Sequence, residues 1–318
     1  MTSPISPDSL QHIQPEPLTL EEMNLEESIS LTPSTTGELP TEFQPQQQFP
    51  LLRKILGYLT KVQKYTGYMF TTFAGLHLAS VVITPGLGIS MAKSQDMFEL
   101  ARTIYLQIPG FEFMFVTGAT VAHVLSGVGI RMIRNHIRYQ TRTMRPTKND
   151  TPILTDSERD DIGLGGITGL IGLGYRKAWI SRLIPELSPL AFSGYLLIPI
   201  GLLHYFEFRW SPMIIDGDSS LISLQYITHV LHFEAWPYQN VLNFAGLVGL
   251  VWLGSYHMVS GLWKIRRRYS ARDKKLGYFI INILTALSVV SLYRFQRGSI
   301  DTGFMGKQFT KYLRYFLW

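Results

Sequence analysis

Five stretches of the chain are long and apolar enough to read as helices through a membrane: Tyr65 to Pro85, Phe111 to Ile130, Leu190 to Phe208, Val241 to Leu262 and Leu276 to Phe295. Each approaches the roughly 20 residues that a helix needs to cross a hydrocarbon core about 30 Å thick. None is uniformly greasy. Gly, Ser, Thr or Tyr interrupts every run, as in helices that pack on one another rather than face lipid all round. Two shorter pieces, Gln95 to Leu106 and Leu221 to Phe233, carry apolar residues at helical spacing and predict amphipathic helices lying on the surface. The pattern predicts an all-α membrane protein with five transmembrane helices.

Ahead of the first run the pattern changes. Residues 1–50 hold eight of the 17 prolines, eight carboxylates and no Lys or Arg. Such a segment cannot bury enough apolar surface to offset the entropy of ordering, so a disordered acidic tail is expected. The rest of the chain carries all 29 basic residues against 15 acidic ones. Four of the basic residues precede the first run, ten fall between Arg131 and Ser188, and seven between Trp263 and Lys275, whereas the connections on the other side hold only Lys93, Arg102 and Arg209. The excess of positive charge on one side places the tail and the two basic connections in the cytosol and the C-terminus in the opposite compartment. The expected organisation is a tail (1–50), a first transmembrane pair (51–135), a basic cytosolic connection (136–188), a second pair (189–268), and a fifth helix with a C-terminal tail (269–318).

Composition removes several classes of function. With no cysteine in 318 residues there are no disulfides, no thiolate metal sites and no covalently attached haem. The acidic, proline-broken N-terminus is neither a secretory signal nor an Arg-rich presequence, so targeting is expected to come from the membrane segments. No catalytic nucleophile or nucleotide loop stands out. The glycine-rich stretch 163–179 follows no strand and lacks a GK[ST] ending, which makes it an interfacial loop rather than a phosphate cradle. The basic connections need no nucleic acid, because the headgroups of membrane phospholipids are the nearer partner.

The chain also repeats itself. TGYMFTTFAGLH, Thr66 to His77, returns 127 residues later as SGYLLIPIGLLH, Ser193 to His204; HVLSG at His123 returns as HMVSG at His257. Two matches in register argue for a duplicated two-helix unit with the fifth helix appended. The four histidines lie roughly 18 to 24 Å into their runs at about 1.5 Å per residue, and neighbouring helices run in opposite directions. His77 and His204 therefore share one leaflet, and His123 and His257 the other. An imidazole inside a membrane is costly enough to mark a functional or well-bonded group facing the bundle interior. Two depth-matched couples, each on two helices, have the layout of axial ligands for two stacked b-type haems, with all four histidines as ligands of haem iron. Ala74, Gly127, Gly201 and Gly261 lie one turn from these histidines and leave room for a flat macrocycle. The alternative is hydrogen bonding of the histidines across helices with the small residues serving packing. Arg131 and Lys264, two turns past His123 and His257, read either as partners of haem propionates or as snorkelling interfacial residues.

Within the tail, SLQHIQPEPLTL (Ser9 to Leu20) sets Leu10, Ile13, Leu18 and Leu20 around Pro15-Glu16-Pro17. Prolines preorganise an extended backbone and the flanking apolar side chains can fill a partner's pockets, although a proline-rich tail also produces PxP by chance.

This layout resembles the fungal Mcp family, the Mdm-complementing proteins of the mitochondrial outer membrane. The resemblance rests on the acidic tail with PxP, the five spans, and the segments TGYMFTTFAGLHLASV and YHMVSGLWKIRRR. It implies an outer-membrane adaptor that supports mitochondrial lipid homeostasis and recruits a chorein-family, bridge-like lipid-transfer protein. The PxP motif would be carried by Ile13, Pro15, Pro17 and Leu18, with Leu10 flanking. The resemblance further implies lipid scrambling between leaflets, for which Thr71, Thr72 and Ser193 are candidate polar positions. Separately, the transmembrane part is similar to the dihaem cytochrome b anchors of fumarate reductase and succinate dehydrogenase. That likeness makes electron transfer by a membrane cytochrome the alternative function.

Overall fold

Prolines and serines start the helices where the hydrophobic runs begin. Pro50 sits in the first turn of α1, Pro50–Gly86, where its missing N–H would have no partner in any case. Ser90 caps α2, Met91–Gln107, by accepting a hydrogen bond from the Lys93 N–H. Ser188 accepts from the Ala191 N–H at 3.2 Å and is followed by Pro189 at the start of α4, Pro189–Asp216. Ser270 accepts from the Asp273 N–H at 3.1 Å at the start of α7, Ala271–Gln296. Such caps satisfy donors that the first helical turn leaves open.

The computed structural model describes residues 49–144, 164, 188–268 and 270–317. Among these the protein is helical, without strands. The remaining elements are α3 (Ala119–Met144), α5 (Leu224–His232), α6 (Gln239–Ile265) and α8 (Gly303–Leu317). Five helices are long and apolar enough to cross a membrane: α1, α4, α6, α7 and the stretch Glu112–Ile137 that contains most of α3. Their outward faces leave Phe113, Leu125 and Phe279 more than half exposed, as suits contact with lipid. The PxP segment and the glycine-rich stretch lie outside the described residues, apart from Leu164, which is buried against Tyr256, Val259 and Ile281.

Packing follows the repeat. α1 pairs with α3, α4 pairs with α6, and α7 lies against α6 and the last turns of α1. The duplication also runs further than the two quoted segments. Two residues beyond His77 and His204, both first helices widen into π-type turns, Ala79–Ile83 and Phe206–Trp210. Both then reach a hydroxyl residue followed by proline, Thr84-Pro85 and Ser211-Pro212. The Thr84 hydroxyl donates to the Ala79 carbonyl at 2.7 Å and the Ser211 hydroxyl to the Phe206 carbonyl at 3.0 Å, five residues back in each case. Pro85 cannot donate to the Val81 carbonyl four residues earlier, and Ser291 of α7 donates to it instead at 2.9 Å.

This junction brings α1 very close to α7. A Cβ built on Gly86 would lie 2.6 Å from the Leu287 carbonyl oxygen, which is backbone and cannot turn away. Gly86→Ala is therefore expected to lower stability by about 1–3 kcal/mol through overpacking. Thermal unfolding in detergent, beside the tolerant control Gly75→Ala, checks this.

The end of the bundle opposite the Arg266–Arg268 turn is closed by α2, α5 and α8, and here the structure corrects the sequence reading. Leu221 to Phe233 does not lie on the surface. Tyr226, Val230 and Leu231 of α5 are at most 1% exposed, packed among Leu292 and Phe295 of α7 and Phe309, Tyr312 and Leu313 of α8. The reason is α8 itself. The expected C-terminal tail is a helix whose Phe309, Tyr312 and Leu313 fall at i, i+3 and i+4 and cover α5. Burial pushes the Tyr226 phenol well above its ordinary pKa, so it stays neutral and donates to the Glu207 carbonyl at 3.0 Å. Tyr312 and Gln308 of α8 both donate to the Asp216 carboxylate at the end of α4.

Two arginines tie this end together. Arg209 donates through Nε and Nη2 to the two carboxylate oxygens of Glu112, each at 2.5 Å, and through Nη1 to the Ser219 hydroxyl. Arg102 donates to the carbonyls of Ser219, Ser220 and Ile222. Both guanidinium groups are thereby engaged within the protein.

Candidate functional site

All four histidines line one cavity of about 1780 Å³ between the two helix pairs. The structure brings them together as the couples that depth-counting predicts. The rings of His77 on α1 and His204 on α4 have centroids 6.0 Å apart with planes at 71°. Those of His123 on α3 and His257 on α6 are 6.1 Å apart at 84°. Each couple joins one repeat to the other. Phe73 stacks on His77 at 5.6 Å, and the Phe208 ring lies 4.7 Å from that of His204, which limits how either imidazole can turn.

The hydroxyl-Gly-Tyr motif belongs to the other couple. The Ser193 hydroxyl lies 3.0 Å from His257 Nδ1 and donates its own proton to the Leu190 carbonyl at 2.7 Å. With that proton committed, the hydroxyl can only accept, so Nδ1 carries the hydrogen and Nε2 is the bare nitrogen. In the first repeat the Gln63 carbonyl, 3.2 Å from His123 Nδ1, imposes the same tautomer, with the Thr66 hydroxyl 3.5 Å away. The glycines then let the rings approach. A Cβ on Gly67 would sit 3.6 Å from His123 Cε1, and one on Gly194 only 2.8 Å from His257 Cε1. Thus the residues around the start of each repeated motif, Gln63, Thr66 and Gly67 on α1 and Ser193 and Gly194 on α4, orient the histidine of the second helix in the same pair, while the histidine ending the motif serves the other level. The sequence reading noted the motif but looked for small residues only on the histidines' own helices. Of those, Gly201 and Gly261 have open space where a Cβ would be, and Gly127 faces the Gln63 amide.

Do these residues fit a haem? A macrocycle held by two imidazoles needs protein donors in twos. Among the described residues no group of three or more His, Asp or Glu could hold a bare metal ion. Metal–nitrogen bonds of about 2 Å on opposite faces of the ring put the two imidazole centroids about 6 Å apart. Both couples stand at that separation. Second-shell donation from Nδ1 to a carbonyl or hydroxyl is also what ligating histidines commonly use. His204 Nδ1, by contrast, is buried without a hydrogen-bond partner. The donor set therefore fits, and the His123 and His257 level is the better braced.

At the end nearer His123 and His257 the cavity is lined by Lys64, Arg131, Arg134, Lys264 and Arg267; at the other by Arg102, Arg209 and Glu112. Arg131 lies 5.5 Å over the Tyr195 ring. Of the hydroxyls considered for a lipid path, Thr71 donates to the Gly67 carbonyl, Thr72 to the Tyr68 carbonyl and Ser193 to that of Leu190. All three are engaged within their own helix. Leu10, Ile13, Pro15, Pro17 and Leu18 lie outside the described residues.

Five membrane-length helices, four of them in two related pairs, with a histidine couple at each of two levels, define a multi-pass helical membrane protein with an internal cofactor-sized cavity. Residues 199–306 match the family model for the transmembrane domain of MDM10-complementing protein 1. The chain is 27% identical over 245 residues to the mitochondrial adapter protein MCP1 of Saccharomyces cerevisiae, an alignment covering 76% of this chain and 74% of that one. Over these residues the chain is similar to members of the Mcp family. No solved structure matches.

Proposed function

We propose that this protein is a mitochondrial outer-membrane adaptor whose bundle carries two bis-histidine haem b groups. The adaptor role is supported by the likeness to the yeast mitochondrial adapter. The haem assignment is carried by one observation: two imidazole couples, at 6.0 and 6.1 Å, facing one cavity and each bridging the two repeats. His77 and His204 hold one group and His123 and His257 the other. The Gln63 carbonyl and Ser193 fix the tautomers at the second level, and Arg131 and Lys264 at the cavity mouth offset propionate charge. Bound haem supplies one-electron chemistry and, by tying the two helix pairs together, rigidity. The acidic tail is then the capture element. Ile13, Pro15, Pro17 and Leu18, with Leu10, dock on a chorein-family bridge-like lipid-transfer protein, and the bundle holds that partner at the membrane in support of lipid homeostasis.

Purified full-length protein, expressed with ample haem, is expected to show a Soret band and a reduced-minus-oxidised b-type spectrum with two haems per chain. A colourless preparation would remove the haem half of the proposal. Deleting residues 9–20 is expected to abolish recruitment of the lipid-transfer protein to mitochondria while leaving that spectrum unchanged. Full recruitment after the deletion would defeat the tail assignment. A dedicated membrane cytochrome would show the reverse dependence: its function would survive the deletion and fail without the histidines.

A further inference from the structure

The face that carries α8 should be poor in cations by the usual sidedness of membrane proteins, yet α8 places Lys307, Lys311 and Arg314 there. They fall at i, i+4 and i+7, hence on one side of the helix, and all three are exposed. The opposite side of α8 is fixed by Phe309, Tyr312 and Leu313 in the core, so the cations are held on a rigid element. Between this side and the end of α4 runs a groove of about 470 Å³, lined by Ile215, Lys307, Thr310, Lys311, Arg314 and Tyr315. No carboxylate lines it. The acid closest in sequence to its α4 wall, Asp216, is occupied by Tyr312 and Gln308. Arg102 and Arg209, on the same face, are bound to internal carbonyls and to Glu112. Lys93 and Arg297 are also exposed on this face but do not line the groove, where Lys307, Lys311 and Arg314 stand together.

We infer that this groove binds the headgroup of an anionic phospholipid in the leaflet on that side. The geometry commits it to a lipid rather than a soluble anion. Phe304 (71% exposed) and Tyr315 (51% exposed) flank the cations with rings suited to the interfacial level, and Trp210 and Ile214, on the last turns of α4, are exposed where acyl chains would run. Basic pockets against transmembrane helices bind phosphodiester headgroups in this manner. The site is separate from the histidine cavity and does not depend on haem.

The test uses full-length protein in phosphatidylcholine nanodiscs with graded amounts of fluorescent phosphatidylglycerol. The wild type takes up the probe saturably. Replacing Lys307, Lys311 and Arg314 together by Gln weakens uptake about tenfold or more, since each cation near a membrane surface contributes on the order of 1 kcal/mol. Removing as much charge from the other face, with Lys54→Gln, Lys61→Gln and Arg272→Gln, leaves uptake unchanged. Should the triple variant fail to fold, Lys311→Glu alone is expected to weaken uptake in the same direction. Equal uptake by wild type and the groove variants overturns the proposal, as does equal loss in the control. Stoichiometric displacement of the probe by glycerol phosphate would also overturn it, by showing a site for a free phosphate.

Discussion

On the proposed haem assignment, alanine at His204 is expected to remove one of two b-type haems and leave the other in place. The couples stand on different levels, His204 with His77 and His257 with His123, so each proposed haem would have its own pair of ligands. His77→Ala is expected to give the same half-loaded protein, and the double variant His77→Ala with His204→Ala to be no worse than either single. Residues that act as one unit show this non-additivity, whereas independent packing sites would add. His257→Ala is expected to remove the other half of the signal, and alanine at His204 and His257 together to remove it all. Haem content by pyridine haemochrome, per chain, reads each case. The competing view, in which the histidines only hydrogen-bond across helices, expects no haem to lose.

Much of this was legible in the sequence because membrane physics writes it in one dimension. Apolar length located the five spans, and the constant rise of a helix placed His77 level with His204 and His123 level with His257. What stayed hidden depends on elements meeting that are far apart in the chain. Leu221 to Phe233 reads as an isolated amphipathic piece, for which a membrane surface is an adequate partner, and the residues beyond the fifth helix read only as a C-terminal tail. That Tyr226 meets Phe309 and Tyr312 instead, and so buries α5, cannot be inferred from either piece alone. The Glu112–Arg209 pair joins residues 97 apart, and neither neighbourhood announces the other. The matching Thr84-Pro85 and Ser211-Pro212 were visible as a continuation of the repeat. Their meaning required the π-type turns that precede them.

The two repeats are alike in plan but not in tolerance, and the glycine beside each imidazole shows it. Replacing a glycine within a helix by alanine ordinarily gains about 0.5–1 kcal/mol, because the unfolded chain loses freedom. At Gly67 the added Cβ would meet His123 at 3.6 Å, an ordinary contact, so Gly67→Ala is expected to raise the melting temperature slightly and to leave the spectrum unchanged. At Gly194 the same atom would stand 2.8 Å from His257 Cε1, closer than carbon atoms approach. The ring would have to move, and the Ser193 hydroxyl that holds its Nδ1 at 3.0 Å resists that movement. Gly194→Ala is therefore expected to cost about 1–3 kcal/mol and to deplete the His123 and His257 haem alone, leaving about half the absorbance. Ser193→Ala separates orientation from space. It removes the acceptor that fixes the tautomer without crowding the ring, so that haem is retained in part but released more readily, by about 10–100-fold in affinity. Competition with apomyoglobin measures that release. Equal behaviour of Gly67→Ala and Gly194→Ala would show that the glycines serve the backbone and not the imidazoles.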